Sequence, residues 1–217
     1  MTAIDDLLPV LGLRITAGPL ELRGLCDEDL AALADLAVAG IHAPEEMPFY
    51  VPWTDVPIEE LPRNLAQYHW RSRADFSPAA WDLHLGVWHD GELVGTQGFS
   101  TREFLVTRTG ETGSWIGRSR QGRGIGTAMR QVICALAFDH LDAAEVTSAA
   151  FVDNPASIAV SRKVGYRDNG IVRLRRRPGE MAENIRLVLT PESFIRGEHE
   201  LQVEGLGAFR RAIGLPD

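Results

Sequence analysis

Alternating and helical patterns of apolar residues divide the first half of the chain into strands and helices. Alternation of apolar and polar positions predicts three β-strands, over 20–25, 81–88 and 92–99. Asp90-Gly91 stands between the last two strands and predicts a tight hairpin turn. Helices are predicted over about 28–40 and 58–73. The span 41–55 contains three prolines, which exclude a regular element there, and is therefore predicted to be a loop.

The second half continues the same succession of strands and helices. Strands are predicted over 104–116, 145–152, 166–177 and 181–189, the first being interrupted near Thr109-Gly110. A helix is predicted from about 126 to 140, and another begins at Asn154-Pro155 and ends at Gly165. The order of one strand, two helices, three strands, helix, strand, helix and two strands predicts an α/β domain with a mixed sheet.

The two ends of the chain carry weaker patterns. Residues 1–18, punctuated by Gly and Pro, are interpreted as an N-terminal arm, and 191–217 as a C-terminal extension with a short helix. The segment between them, 19–190, is predicted to be one domain.

Composition excludes several classes of protein. With 45% hydrophobic and 24% charged residues in 217, the chain has the apolar content of a globular protein, unlike a disordered one. No uncharged apolar run approaches the length of a membrane span, and the acidic first residues do not resemble an export signal. A net charge of -8 argues against nucleic-acid binding. Cys26 and Cys134 are far apart in the sequence and form no metal-binding motif, so we expect no metal site. We also expect a cytoplasmic protein in which both thiols are reduced.

A glycine-rich turn holds the clearest chemical signal. Residues 121–126, Gln-Gly-Arg-Gly-Ile-Gly, follow a predicted strand and open a helix. Glycines leave backbone amides accessible, and a helix N-terminus attracts anions, so the turn is typical of a phosphate site. Arg118, Arg120 and Arg123 add positive charge. The turn lacks the lysine of a Walker A loop and the G-x-G-x-x-G spacing of a dinucleotide site, so a tight turn without ligand also remains open.

Two motifs together resemble a known family. Gln121-x-x-Gly124-x-Gly126 resembles the acyl-CoA pyrophosphate loop of the GNAT (GCN5-related) N-acyltransferases. The segment 154–166 is similar to the N-x-x-S-x-x-V-x-x-K-x-G-F/Y helix of the subgroup that acetylates ribosomal-protein N-termini. The resemblance covers roughly 19–190. It implies a mostly antiparallel mixed sheet flanked by helices and splayed between its fourth and fifth strands, with acyl-CoA bound in the gap.

The resemblance also implies which residues bind the cofactor. They are Trp115, Ile116 and Gly117 for the pantetheine amides, Gln121, Gly122, Arg123, Gly124, Ile125, Gly126 and Thr127 for the pyrophosphate, and Asn154, Ser157 and Lys163 on the following helix. Asn154 is equally typical of a helix N-cap, and Lys163 of a solvated surface.

The resemblance assigns catalytic roles to two side chains. Glu111 matches a fourth-strand glutamate that some relatives use as a base through a water molecule; the alternative is a solvated strand-edge carboxylate. Many relatives have a tyrosine where this chain has Ser161, which we expect to donate a hydrogen bond to the departing sulfur. A backbone N–H near Trp115 or Ile116 is the expected oxyanion donor.

The loop 41–55 is the candidate wall of the acceptor site. Its P-F-x-x-P-W-T-D pattern contains Phe49, Tyr50 and Trp53, and it resembles a branch of actinobacterial GNAT proteins in which succinyl-CoA use is known. These rings either line a pocket or anchor the loop itself. A succinyl carboxylate would need a cation, and four arginines are candidates: Arg173, Arg175, Arg176 and Arg177. Because alternation separates Arg176 from the others, an edge strand protected by charge is the favoured interpretation.

We therefore expect an acyl-CoA-dependent N-acyltransferase working by direct transfer in a ternary complex. Acetyl-CoA is the default donor and succinyl-CoA the alternative, and the acceptor is a primary amine of a protein N-terminus, a lysine or a small molecule. A homodimer is favoured, without membrane or nucleic-acid binding. Two other function classes remain open: a non-catalytic acyl-CoA-binding regulator, and a nucleotide-binding enzyme that uses the glycine-rich turn.

Overall fold

The computed structural model describes residues 4–216, so the first three residues of the predicted arm and the last residue of the predicted extension lie outside it. The strands are β1 (Arg14–Ala17), β2 (Leu20–Gly24), β3 (Ala80–His89), β4 (Glu92–Arg102), β5 (Thr109–Ile116), β6 (Glu145–Phe151), β7 (Arg167–Arg177), β8 (Glu180–Leu189) and β9 (Gln202–Glu204). The helices are α1 (Ile4–Leu7), α2 (Asp27–Val38), α3 (Leu61–Ala74), α4 (Phe104–Thr107), α5 (Ile125–Ala135), α6 (Pro155–Val164) and α7 (Leu206–Ala212).

All nine strands of the described residues form one sheet in the order β7-β8-β6-β5-β4-β3-β2-β1-β9. Only β5 and β6 pair in parallel, and the other neighbours are antiparallel. The mixed, mostly antiparallel α/β fold is therefore as expected. None of the helices within residues 4–216 has the length and apolar character needed to cross a bilayer.

The β3–β4 hairpin is the clearest case of a local sequence signal. Asp90 and Gly91 both have positive φ, 51° and 79°, as a two-residue turn matching the twist of its strands requires. The turn confirms the predicted hairpin, with His89 on β3 paired to Glu92 on β4.

Two segments differ from the predicted elements. Arg14–Ala17 (β1), within the predicted arm, pairs with β2. Gln202–Glu204 (β9) pairs with β1, so segments near both ends of the chain extend the sheet. Phe104–Thr107 was expected to begin a strand but forms a short helix between two residues of positive φ, Glu103 and Arg108. That turn places the ring of Phe104 in the core, 5.4 Å from Trp81 and 6.2 Å from Phe99.

Each face of the sheet carries its own apolar cluster. The larger one lies beneath α5, α6 and α7, where Met129, Ile133 and Phe209 pack on buried strand residues. The smaller one lies under α2 and α3 and includes Leu33 and Leu65. Burial of these two layers holds the sheet between helices on both sides.

The strands β5 and β6 separate soon after they meet. Their parallel pairing covers three pairs, from Thr109 opposite Glu145 to Glu111 opposite Thr147. Beyond Glu111, β5 continues to Ile116 with pairing to β4 alone. This is the splay expected between the fourth and fifth predicted strands, which are β5 and β6 once β1 is counted. The backbone of β5 is thereby left without a strand partner on one edge.

Candidate active site

A cleft of about 650 Å³ opens where β5 and β6 separate. Its walls come from β5, β6, β8, α5, α6 and the loop before α3. Eight of the residues predicted from sequence line it: Phe49, Tyr50, Glu111, Trp115, Ile116, Gln121, Asn154 and Ser157. One fissure therefore brings together residues that are up to 108 positions apart in the chain.

The glycine-rich turn stands at the start of α5 with exposed backbone. Gly122 and Gly124 have φ of 74° and 83°, and a Cβ at either position would meet nothing within 4 Å. Glycine is therefore required there by backbone conformation, since the surroundings leave room for a side chain. Gly124 is the N-cap of α5, and no side chain caps the helix. The first N–H groups of α5 and the positive end of its dipole are thus available to an anion.

Gln121 is exposed and lines the cleft, and its side-chain amide is hydrogen-bonded within the protein. Its amide nitrogen donates to the carbonyl oxygens of Ile116 at 2.8 Å and Ile41 at 2.7 Å. The amide therefore connects the glycine-rich turn to the end of β5 and to the loop after α2. Because this nitrogen is engaged, we expect Gln121 to contribute to cofactor binding through its backbone and through this positioning.

Gly117 lies against a side chain of α2. A Cβ at this position would lie 2.5 Å from Cδ1 of Leu36 on α2. Its N–H donates to the carbonyl of Val94, and its own carbonyl accepts from the N–H of Arg120. Both backbone groups are therefore engaged within the protein, and Trp115 and Ile116 are left as the predicted pantetheine contacts that line the cleft.

The beginning of α6 faces the cleft and its end does not. The side-chain oxygen of Asn154 accepts a hydrogen bond from the Ser157 N–H at 3.1 Å, so Asn154 is the N-cap of α6 and a cleft residue at once. Lys163 lies exposed near the far end of the helix, outside the cleft lining. The hydroxyl of Ser161 is completely buried and donates to the Ser157 carbonyl at 3.0 Å, so it does not reach the cleft wall in this conformation.

Glu111 occupies the point at which the two strands separate. It stands opposite Ser100 on β4 and Thr147 on β6, and its exposed side chain lines the cleft. Within residues 4–216 it forms no ion pair or side-chain hydrogen bond. The carboxylate is therefore available to a ligand.

The aromatic residues of the 41–55 loop form two layers. Phe49 and Tyr50 line the cleft, whereas Trp53 lies behind them. The ring of Trp53 is 5.2 Å from Phe49 and 5.8 Å from Trp115 on β5. Phe49 thus both lines the cleft and packs on Trp53, which contacts β5, so the loop is anchored by its own rings and also forms part of the cleft wall.

The four arginines of β7 lie on the edge strand of the sheet and do not line the cleft, although Arg177 Nη2 donates to the carbonyl of Glu46, a cleft residue. Arg176 pairs with Asp153 at 2.7 Å and with Glu180 at 3.4 Å. Arg177 pairs with Asp55 at 2.9 Å. These two arginines already have acidic partners, which agrees with the favoured interpretation of a charged edge strand.

A buried cation at the base of the cleft was missed by sequence reasoning. Arg130 on α5 is only 4% exposed. Its Nη1 donates to Ser148 Oγ on β6 at 3.1 Å, and its Nη2 donates to Ser114 Oγ on β5 at 3.0 Å. The available signal was its position: Arg130 stands four residues before Cys134, on the inward stripe of an amphipathic helix.

The polar groups beside Arg130 are hydrogen-bonded to one another. The hydroxyl groups of Tyr166 and Thr112 are hydrogen-bonded at 2.9 Å, and the Tyr166 oxygen lies 3.4 Å from Cys134 Sγ. Burial raises the pKa of Tyr166 and raises the pKa of Cys134 to about 11, so both stay protonated near neutral pH. Cys134 is therefore a packing residue with no nucleophilic character.

Comparison with known proteins identifies the family. The profile of the acetyltransferase (GNAT) domain matches residues 19–167, well over half of the chain. The chain belongs to the GNAT acetyltransferase family. The cleft between β5 and β6, with the glycine-rich turn at its side, is thus found in a GNAT domain.

The family's relatives resemble this chain to different extents. YdaF of Bacillus subtilis (strain 168), whose name provisionally assigns it as a ribosomal N-acetyltransferase, is 32% identical over 91 residues, which are 42% of this chain. The chain spans about half the length of this curated relative, 49%.

Solved structures of other family members share the fold. Mycobacterium smegmatis RimJ in complex with CoA-disulfide has a TM-score of 0.72 at 20% identity, covering 92% of each chain. RimL, a ribosomal L7/L12 alpha-N-protein acetyltransferase in complex with coenzyme A, has a TM-score of 0.64 at 19% identity, covering 81% of this chain and 96% of its own. At such identities the likeness concerns the fold.

Proposed function

We propose that this GNAT-family protein is an N-acyltransferase that moves an acyl group from acyl-CoA to a primary amine by direct attack in a ternary complex. The observation that carries the proposal is the uncapped, glycine-rich start of α5 beside a strand edge left open by the splay. A helix N-terminus without a side-chain cap and a strand edge without a partner strand, both in one cleft, suit the pyrophosphate and the amide-containing arm of CoA.

The cofactor is proposed to bind along these two features. The backbone of Gln121 to Thr127 holds the pyrophosphate at the N-terminus of α5. The pantetheine arm follows β5 past Ile116 and Trp115 toward Glu111, with Asn154 and Ser157 on the opposite wall. The thioester would then lie where β5 and β6 separate.

The chemistry requires a neutral amine. Its lone pair attacks the thioester carbonyl carbon, a backbone N–H of β5 stabilises the resulting oxyanion, and the C–S bond breaks as the carbonyl re-forms. The amine nitrogen loses one proton, and the departing thiolate gains one. Glu111 accepts the first proton, directly or through a water molecule. Ser161 can support the thiolate only if its hydroxyl rotates away from the Ser157 carbonyl.

The acceptor is proposed to approach from the face of the sheet that carries Glu111 and Trp115. Phe49 and Tyr50 line this side of the cleft. Two relatives are named for ribosomal acetylation and a further structural neighbour for spermidine N-acetylation. A net charge of -8 favours a basic acceptor of either kind.

The donor thioester is proposed to carry an acetyl or a succinyl group. Acetyl is the usual group for a family named for acetyl transfer. Succinyl requires a cation at its free carboxylate, and the arginines of β7 considered first for that role do not line the cleft.

The first test is a thermal-shift titration with CoA, acetyl-CoA, succinyl-CoA, NAD and ATP at matched concentrations. A ligand at about 100 times its Kd adds roughly 2.7 kcal/mol of stability. Stabilisation by CoA species alone, followed by release of free CoA with one of a panel of peptide, lysine and polyamine amines, supports the proposal. Stabilisation by NAD or ATP instead contradicts it. Binding of CoA without turnover on any amine indicates a non-catalytic acyl-CoA-binding regulator.

A further inference from the structure

Arg186 is a half-buried cation that lines the cleft from β8. Within residues 4–216 its guanidinium forms no ion pair and no side-chain hydrogen bond. A guanidinium keeps its proton in proteins and carries five N–H donors in a planar fork. Its charge and its donors are therefore available to an anionic group of a ligand in the cleft.

The other two arginines that line the cleft in the described part of the chain are placed differently. Arg130 is 4% exposed, and its two terminal nitrogens donate to the hydroxyls of Ser114 and Ser148. Arg118 follows the end of β5 and precedes the glycine-rich turn, where the cofactor's pyrophosphate is proposed to bind. Arg186 is thus the cleft arginine that neither the protein nor the proposed phosphate site engages.

Strand pairing places Arg186 on the acceptor face of the sheet. Arg186 stands opposite Ala149 on β6. Glu111 stands opposite Thr147, two residues earlier on the same strand. Paired side chains share a face, as do residues two apart along a strand, so Glu111 and Arg186 project from the same face. The guanidinium therefore lies on the side from which the acceptor is proposed to approach.

A second polar group of β8 is unsatisfied on this face. Asn184 stands two residues from Arg186, lines the cleft and is 3% exposed, and its side-chain oxygen has no hydrogen-bond partner. Buried amide oxygens in proteins are normally hydrogen-bonded. Once the amide turns toward the cleft, this oxygen can accept from an N–H group of a ligand. The wall formed by β8 thus offers a cation and a hydrogen-bond acceptor side by side.

The spacing of these groups fits an extended polypeptide. Two strand separations of about 4.8 Å and two residues of about 3.3 Å put the Cα atoms of Glu111 and Arg186 about 12 Å apart. Asn184, opposite Phe151, lies farther along the same line. Successive residues of an extended chain are about 3.5 Å apart. An amine beside Glu111 therefore brings the second and third residues of a polypeptide toward Arg186, and a later N–H group toward Asn184.

We infer that Arg186 binds an acidic side chain of the acceptor, so that the acceptor is the N-terminus of a polypeptide with Asp or Glu at its second or third residue. This inference rests on the proposed function, in which the amine reacts beside Glu111. A guanidinium binds a carboxylate through two parallel N–H···O bonds. The net charge of -8 repels such a segment at long range, so selection of an acid requires a local contact of this kind.

Matched peptides test the inference by binding to the protein saturated with CoA. Free CoA carries no acyl group, so the choice of donor does not enter. One peptide begins Ser-Glu-Glu and the other Ser-Gln-Gln, with the same neutral remainder and an amidated C-terminus. Calorimetry should show at least about tenfold tighter binding of the acidic peptide. Equal affinities, tighter binding of the neutral peptide or no binding of either overturns the inference and leaves CoA binding intact. If CoA itself does not bind, the proposed function fails.

A small-molecule pair separates a polypeptide from a free amino acid as the source of the carboxylate. Glycylglycine and glycylglycine amide differ in the terminal carboxylate alone. The polypeptide acceptor predicts that the preference for an acid appears in the longer peptides, whose later N–H groups reach Asn184. A preference confined to the glycylglycine pair overturns the polypeptide assignment.

Two variants connect the preference to Arg186. Arg186→Met should bring the ratio of acidic to neutral peptide affinity close to one by weakening the acidic peptide alone. Arg175→Met is the control, because Arg175 is exposed on β7 and does not line the cleft, and it should leave the ratio unchanged. An unchanged ratio in a folded Arg186→Met protein contradicts the inference. If Arg186→Met does not fold, the comparison of the two peptides with the unmodified protein still decides, since the overall charge alone favours the neutral peptide.

Discussion

Gln121 and Ile116 are joined by a hydrogen bond of 2.8 Å from the side-chain amide of the first to the carbonyl of the second. The same amide donates to Ile41 at 2.7 Å. One side-chain amide therefore connects three segments: the glycine-rich turn, the end of β5 and the loop after α2. We therefore expect Gln121 to contribute to the proposed cofactor site indirectly, by fixing the position of the glycine-rich turn.

This relationship predicts that Gln121→Ala weakens CoA binding without removing a direct contact. We expect a loss of about 1–2 kcal/mol in the free energy of unfolding, because two carbonyls lose their partner, and a several-fold rise in the Kd for CoA. Gln131→Ala is the matched control, since the Gln131 amide also donates to two backbone carbonyls, those of Ile195 and Arg196. Chemical denaturation and calorimetry should show that both variants lose stability and that only Gln121→Ala loses affinity. Equal CoA affinity in the two variants would exclude a positioning role.

Gly124→Ala tests the anion site at the start of α5. The substitution places a Cβ in a left-handed conformation, which costs about 1 kcal/mol or more, and it alters the direction of the adjacent N–H groups. Gly179→Ala carries the same strain, since Gly179 has φ of 79° and, like Gly124, open space around its Cβ position. Both variants should melt at similar temperatures, and only Gly124→Ala should lose affinity for CoA. If the two bind CoA equally, the turn does not hold the pyrophosphate.

Glu111→Gln tests proton removal from the acceptor. General-base catalysis contributes roughly 10²- to 10⁴-fold, so kcat should fall by about that factor near pH 7 while CoA affinity stays constant. A lysine amine has a pKa near 10.4 and an α-amine one near 8, so the loss should be greater for the lysine acceptor. As pH rises past the pKa of the amine, the gap between variant and unmodified protein should narrow. Glu183→Gln, an exposed change outside the cleft, serves as control. A pH-independent gap would contradict the role of a base.

Ser161→Ala tests the hydroxyl that the family resemblance assigned to the leaving group. If that hydroxyl turns from the Ser157 carbonyl toward the thiolate, the variant should lose about tenfold in kcat with little change in CoA affinity, corresponding to about 1.4 kcal/mol of the barrier. Single-turnover kinetics measure this step directly. An unchanged rate would leave Ser161 as a buried packing residue of α6.

Stability should fall at acidic pH because of buried His69 and its half-buried neighbour His84. Burial lowers the pKa of His69 to about 3, with neighbouring His84 and Arg73 contributing, and burial also lowers the pKa of His84. In the unfolded chain these groups bind protons near pH 6.5, so as pH falls below that value the unfolded state gains protons that the folded state does not. For His69 the loss between pH 7 and pH 5 should approach about 2 kcal/mol.

Urea unfolding at the two pH values measures this loss. His69→Gln should lose less stability on acidification than the unmodified protein. His199→Gln, a change at an exposed histidine, should not alter the loss. Equal losses in all three proteins would show that His69 does not remain neutral in the folded state.

Much of the fold could be predicted because its signals are local. The turn at Asp90-Gly91, the helix between Asn154 and Gly165 and the glycine-rich entry to α5 each depend on the backbone preferences of a few adjacent residues. The two motifs, 30 residues apart, were sufficient to suggest the family, and the splay of the sheet followed from it.

Other features depended on contacts between distant segments. Arg14–Ala17 is a strand because β2 and β9 pair with it, and Phe104 leaves the strand pattern because the Trp81–Phe99 core accepts its ring. The hydrogen-bond partners of side chains also depend on such contacts. The Gln121 amide donates to two carbonyls, one of them 80 residues away in the chain.

The sequence by itself therefore determined the family and most of the strands and helices between β2 and β8, because local conformational preferences and motif spacing encode them. Only the tertiary structure decided which charges are paired. Arg176 and Arg130 are equivalent arginines in the sequence, yet folding brings acids from other segments to the first and two serines from diverging strands to the second. Electrostatic pairing depends on distances in space, and those arise from long-range packing.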